Sequence, residues 1–273
     1  MSAVPMTVLV VGATGSVGRL VVAEALRQGH AVRALVRDLT RAAGLPQQAQ
    51  RVVGDLTRPE MLSAAVDGVD AIVFTHGSDG SGKTAAEQVD YGGVRSVLQA
   101  LGGSRARIAL MTAIGVTHRQ GAYNRATQIH DWKRRGERLV RASGLPYTIV
   151  RPGWFDCNAP DQHRLVLLQG DTRHAGDPSD GAVSRQQIAE VLVRSLSSAA
   201  ARGKSFELIA ERGPAPRDLE PLFAALAADV AGALDGARDT ANMPLADEPA
   251  RVREDLAKVL ARSKAMLATT TRD

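Results

Sequence analysis

The stretch that most constrains this chain is Gly12-Ala13-Thr14-Gly15-Ser16-Val17-Gly18, set between the apolar run Thr7–Val11 (TVLVV) and an amphipathic stretch over 18–28. An unbroken apolar run rich in β-branched residues reads as a strand buried on both faces. A strand that turns at once into a helix needs backbone angles that glycine adopts most easily. Glycine also lets the helix pack close to the strand and lets the main chain approach a pyrophosphate. The unpaired amides and dipole at the helix start favour that anion. Gly12, Thr14, Gly15, Ser16, Val17 and Gly18 are therefore read as a phosphate-binding turn inside a βαβ unit.

Strand and helix patterns keep alternating after this turn, which predicts an α/β fold with a doubly wound parallel sheet. Strands are expected at 31–36, 51–53, 70–75, 107–112 and 147–150, and helices at 59–66, 85–101 and 127–143. After Pro152 the pattern changes. Residues 159–180 read as a polar loop, and Ser184 as the cap of a helix over 185–196. A short strand at 205–209 and helices over 219–234 and 250–267 complete the chain, the last with an apolar stripe of Val252, Leu256, Val259 and Leu260. The expected organisation is a core over 1–155 and a small C-terminal substrate lobe over 156–273, integrated into the same domain.

Composition narrows the function classes. Of 273 residues, 34 are Lys or Arg and 29 Asp or Glu, a formal net charge of +5 that suits steering of small anions. Aromatic residues make up only 3%, too few for a platform that stacks single-stranded bases, so no nucleic-acid partner is expected. The single cysteine, Cys157, allows no internal disulfide or cysteine zinc cluster, and the scattered histidines suggest no metal site. No apolar run reaches the ~18 residues of a membrane span. The first residues carry no charged leader ahead of the apolar strand. The expectation is a soluble, cytoplasmic monomer or homodimer acting on a small molecule.

Further motifs stand in register with the glycine turn. They are Arg37 at the end of ALVRD, Gly54-Asp55-Leu56, Val89-Asp90-Tyr91-Gly92-Gly93, and Ser143-Gly144-Leu145-Pro146-Tyr147-Thr148-Ile149-Val150-Arg151-Pro152-Gly153; AVSRQQIAEVLV and KSFELI follow later. Together with the Gly12…Gly15…Gly18 spacing, they resemble the short-chain dehydrogenase/reductase superfamily, in its atypical, NmrA-like branch, over most of the chain. The resemblance implies a Rossmann-like fold that binds NADP(H) along the C-terminal ends of its strands. Arg37 and Asp38 are adjacent, so only one can face the adenosine ribose. The resemblance places Arg37 there, where it would pair with a 2′-phosphate. It also sets Asp55 and Leu56 beside the adenine. Thr75, His76 and Gly77 are expected to line the cofactor cleft, and Pro152, Gly153, Trp154 and Phe155 to lie near the nicotinamide.

Catalysis is where the pattern departs from the family. Short-chain reductases place a Tyr-x-x-x-Lys pair on the helix after the fifth strand, the lysine orienting the nicotinamide ribose and lowering the phenol pKa. Lys133 stands in the lysine position, with Glu137 one turn on, but four residues before it is Ile129. Thr112, ending the fifth strand, is the expected carbonyl holder. Tyr123, on the loop before the helix, is the candidate replacement acid. A competing motif, Gly77-Ser78-Asp79-Gly80-Ser81-Gly82-Lys83-Thr84, matches the phosphate loop of nucleoside triphosphatases, yet no later strand ends in a convincing aspartate for magnesium. The preferred expectation is an NADPH-dependent oxidoreductase acting on a small carbonyl, quinone or imine. The alternatives are a non-catalytic NADP(H)-binding redox sensor and, last, a triphosphatase.

Overall fold

In the computed structural model, which describes residues 4–270, the opening apolar run forms the middle of a mainly parallel sheet. The first half of the chain contributes β1 (Thr7–Val11), α1 (Ser16–Arg27), β2 (Ala31–Val36), β3 (Gln50–Val53), α2 (Ser63–Val66), β4 (Ala71–Phe74), α3 (Lys83–Ala85), α4 (Gly92–Leu101) and β5 (Arg107–Met111). It continues with α5 (Ala122–Thr127), α6 (Ile129–Ala142), β6 (Tyr147–Pro152) and β7 (Trp154–Phe155). The remainder supplies β8 (Arg164–Leu168), β9 (Ala182–Val183), α7 (Arg185–Ser197), β10 (Lys204–Glu211), α8 (Glu220–Ala224) and α9 (Ala250–Thr270).

The strand order is β3-β2-β1-β4-β5-β6-β10-β9-β7, with β8 paired antiparallel to β10. The ladders from β3 to β10 through β1 and β6 are all parallel, and the strand order shows that the chain reverses its winding between β1 and β4. This is the doubly wound Rossmann-like arrangement, whose ligands sit at the C-terminal strand ends beside the reversal. Alternate residues of β1 feed two cores. Val8 and Val10 face one core, with Val21 of α1 and Ile188 and Leu192 of α7. Leu9 and Val11 face the other, with Val97 of α4, Leu139 of α6 and Leu256 of α9.

Four sequence expectations are corrected. The segment 159–180, read as a loop, contains β8: Arg164–Leu168 (RLVLL) is an apolar run that finds its ladder on β10. The expected helix over 219–234 shrinks to α8, because Asp229 is drawn away to tertiary partners and Gly232 takes φ +78°. The single helix expected over 85–101 is α3, then wide π-helical turns over Ala86–Tyr91, then α4. In the last helix Val252 and Leu256 are buried, but Leu260 of the expected stripe faces outward.

α6 carries an unusual burden. Arg134, Arg135, Arg138 and Arg141 are all buried on it, although the sequence IHDWKRRGERLVRA looks like a solvated face. Acids from the segment 229–248 explain this: Asp235 holds Arg134 and Arg138, Glu248 holds Arg135, and Asp229 holds Arg141. Buried guanidinium groups need such partners, since an unpaired buried charge costs several kcal/mol, on the order of 3–5. Trp132 on the same helix lies beneath Arg135, with the guanidinium carbon 4.2 Å from the ring centroid.

Candidate functional site

The turn between β1 and α1 is as tight as its glycines imply. Gly12 takes φ +88°, and Gly15 N–H donates to Gly12 O at 2.9 Å. A Cβ on Gly18 would stand 2.0 Å from Gly12 O, and one on Gly12 would stand 2.7 Å from His76 N. No side chain fits at either place. Gly15 caps α1 without a side-chain hydrogen bond, so the amides opening at Ser16, Val17 and Gly18 are offered to an outside acceptor. Thr14 O accepts from Arg19 Nε at 3.0 Å, which lays that arginine across the turn toward Arg41 O.

At the end of β2, Arg37 and Asp38 differ in their local hydrogen bonding. Asp38 bends back on itself, its carboxylate accepting from Thr40 N at 2.9 Å and from Thr40 Oγ1 at 2.6 Å. Both hydrogen bonds hold its carboxyl below the usual range. Asp55 makes the same kind of turn with Thr57, and Arg37 is near enough to help keep its carboxyl ionised. Arg37 itself is exposed. Leu56 and His76 crowd Gly93: a Cβ there would meet His76 Nε2 at 2.6 Å and Leu56 Cδ1 at 3.1 Å. Burial lowers the His76 pKa to about 4, so its imidazole is neutral. Thr75 donates its hydroxyl to Val11 O at 3.0 Å and fixes β4 against β1.

The far end of the cleft is built around Asp90. The π-helical turns bring this residue inward, and its two oxygens take Lys133 Nζ at 2.7 Å and Ser78 Oγ at 2.6 Å. A Cβ on Gly77 would lie 3.6 Å from Lys133 Nζ, so the ammonium stands at the mouth of β4. Widened helical turns are often found at functional sites. Periodicity gives no warning of this one: in the sequence Asp90 stands only within the Val89–Gly93 motif and Ser78 only within the 77–84 glycine-rich run, neither as a candidate site residue. Ile129 begins α6, is buried, and has no proton to give.

Tyr123 lies on α5 and is half exposed; its ring is set edge-on to His130 with centroids 5.4 Å apart. Its hydroxyl lies 3.6 Å from where a Cβ on Gly80 would stand, placing the phenol over the 77–82 loop. Partial burial, with Asp90 and Asp79 nearby, raises its pKa above the ordinary phenol value. Burial lowers the His130 pKa to about 4. The Thr112 hydroxyl donates to Glu137 Oε1 at 2.7 Å, and Glu137 is held ionised against burial by Arg151 and Arg141. Thr112 thus joins a buried ionic chain rather than presenting its proton to the cleft. Lys83 is exposed at the first residue of α3, where the continuous helical run through the π-helical turns into α4 begins.

Beyond β6, Gly153 passes so close to the 181 turn that a Cβ would meet Gly181 O at 2.3 Å. This approach lets Trp154 and Phe155 pair with Ala182 and Val183, following Pro152 at the strand end. Asp171, also missed in the sequence, takes Gly115 N at 2.6 Å, Thr117 N at 2.7 Å and Thr117 Oγ1 at 2.8 Å, and so clamps the loop after β5. Among the described residues, no group of His, Cys, Asp and Glu is arranged to hold a metal, and no helix is long and apolar enough to cross a membrane.

The turn closes only with glycine at 12 and 18, where a Cβ would strike the main chain, and it leaves the uncapped amides at the start of α1 open to an anion, so these residues fit the diphosphate of a dinucleotide. Comparison with known proteins agrees. An "Uncharacterized sugar epimerase YhfK" of Bacillus subtilis is 31% identical over 222 residues, covering 80% of this chain and all of that one. The photosystem II assembly factor Ycf39 of Synechocystis is 28% identical over 210 residues, 76% of this chain but only 63% of that protein. Among solved structures, a candidate NAD-dependent epimerase/dehydratase of Bacillus halodurans is 25% identical, with a TM-score of 0.67, over 81% of this chain and all of that one. ChuY, an anaerobillin reductase of Escherichia coli O157:H7, is also 25% identical, with a TM-score of 0.58, over 77% of this chain and all of that one. Residues 12–199 match the family described as NAD(P)H-binding. With the glycine cradle, the strand order and that match in hand, the chain belongs to the NAD(P)H-binding family and has its Rossmann-like fold, consistent with the short-chain dehydrogenase/reductase resemblance of its motifs.

Proposed function

We propose that this protein is an NADPH-dependent reductase acting on a small carbonyl, quinone or imine, without the tyrosine acid of its superfamily. The observation that carries this reading is the placement of Lys133 Nζ, held by Asp90 at 2.7 Å beside Gly77. An ammonium has three donors, so Lys133 can keep Asp90 and still offer protons to ribose hydroxyls. When bound, a reduced nicotinamide supplies the hydride. Asp38 is occupied by Thr40, so Arg37 is the charged group left for the ribose, which supports a 2′-phosphorylated cofactor. Trp154 and Phe155 shape an apolar wall, and the proton taken up by substrate comes from Tyr123 or from water. The reductase name of the Escherichia coli structure supports this reading.

A second reading, a non-catalytic NADP(H)-binding sensor, is favoured by buried Ile129 in the tyrosine position and by the assembly-factor name of the Synechocystis relative. Two measurements decide. Fluorescence titration with NADPH and NADH tests binding, and loss of reduced-nicotinamide absorbance against a panel of quinones and carbonyls tests turnover. Tight NADPH binding with turnover supports the reductase; tight binding without turnover supports the sensor. No NADPH binding overturns both.

A further inference from the structure

Arg185 is the first residue of α7, yet its side chain reaches the first residue of α1, with Nε donating to Ser16 Oγ at 3.1 Å. Asp156 holds the same arginine twice. One carboxylate oxygen accepts the Arg185 amide at 2.9 Å and the other pairs with Nη1. Phe155 lies alongside, with the guanidinium carbon 5.1 Å from its ring centroid. Asp156 sits at φ +57°, in the left-handed region that a non-glycine residue rarely occupies. The backbone bond from Arg185, and then its guanidinium, keep the Asp156 carboxyl below the usual range.

This placement has a chemical consequence at the glycine cradle. A serine hydroxyl that accepts from Nε keeps its own proton free to donate elsewhere. Ser16 opens α1, so that proton and the α1 amides share one acceptor region. A guanidinium has five N–H donors, of which these side-chain contacts use two. The remaining donors stand one serine away from where a diphosphate would rest. We infer that Arg185 binds the diphosphate of the dinucleotide, positioned for it by Asp156 and Phe155, and thereby ties the start of α7 to the cofactor. The inference rests on the reading that a dinucleotide occupies the glycine cradle. Asp156 and the diphosphate compete for the same cation, so the aspartate orients the arginine at some expense of affinity.

The test compares wild type with Arg185→Ala, Arg185→Lys and Asp156→Asn, titrated with NADPH and with adenosine 2′-monophosphate at several salt concentrations. The second probe carries the ribose phosphate but no diphosphate. Arg185→Ala is expected to weaken NADPH about tenfold or more and to flatten its salt dependence, with the monophosphate unaffected. Arg185→Lys should restore part of the loss, and Asp156→Asn should bind NADPH at least as tightly as wild type. An Arg185→Ala affinity for NADPH equal to wild type overturns the inference. So does an equal loss for both probes, which marks a structural role. Failure of the wild type to bind NADPH would instead remove the dinucleotide reading beneath it.

Discussion

Lys133 and Asp90, 43 residues apart in the chain, meet at 2.7 Å between Nζ and Oδ1, and the Asp90 side chain is completely buried while that of Lys133 is 13% exposed. The pair joins α6 to the π-helical turns and leaves the ammonium at the mouth of β4. Lys133→Met is therefore expected to raise the Kd for NADPH about tenfold and to remove most turnover. Asp90→Ala strands the lysine and should cost stability as well, about 3 kcal/mol. Titration and thermal melts of both variants check this; an unchanged Kd in Lys133→Met would place the lysine outside the cofactor site.

Arg37 should decide between the two nicotinamide cofactors. A charged hydrogen-bonding pair with a phosphate contributes about 1.5–3 kcal/mol, equivalent to roughly ten- to hundredfold in affinity. Arg37→Ala is expected to lose that much for NADPH and nothing for NADH, measured by fluorescence titration. Equal affinities for the two cofactors in the wild type would contradict it.

Tyr123 gives a pH signature. Its phenol pKa is raised, first by burial and then by Asp90 and Asp79. A raised value keeps the proton on the oxygen throughout the neutral range, so activity that depends on it should stay level from pH 6 to 9. Tyr123→Phe should lower turnover of carbonyls about tenfold or more while sparing quinones, which take protons readily from water. Equal loss on both substrate classes, or none on either, would remove the phenol from the reaction.

Glu207 should make stability fall as pH rises. Burial lifts its pKa from 4.5 to about 7, against the pull of Arg151. An acid with a raised folded-state pKa contributes fully below pH 4.5 and loses that contribution as pH climbs through 7, at most about 3 kcal/mol. Arg151 keeps Glu137 and Asp239 as partners without it. Glu207→Gln is thus expected to gain on wild type steadily from pH 5 to pH 8, by up to ~5–10 °C in Tm. Parallel melting curves across that range would show that Glu207 does not carry the proton.

How legible the protein was in its sequence varies with the range of the forces involved. β1, the glycine turn and α1 follow from local rules: a solid apolar run, residues that permit a sharp turn, and an amphipathic continuation. The Ser184 cap is local too, and the structure shows it as a full capping box with Gln187. What escaped depends on distant partners. Arg185 appeared in a motif but its contact with Ser16 lies 169 residues away. Asp90 turns inward through π-helical geometry that no regular period encodes. The arginines of α6 look solvent-facing until Asp229, Asp235 and Glu248 arrive from the other end of the chain. β8 was hidden by polar neighbours on both sides of a plain apolar run.

The charged contacts along α6 carry an implication for how this enzyme-like scaffold must be assembled. One side of that helix presents Lys133 to the cleft, while its other sides hold guanidinium groups whose carboxylate partners include Asp229, Asp235 and Glu248, about a hundred positions later in the chain. The buried face of the helix is therefore complete only when the segment 229–248 is packed against it. The geometry of the lysine is thereby made conditional on the tail, and shortening the chain from its C-terminus would disorganise the cleft long before any cleft residue was lost.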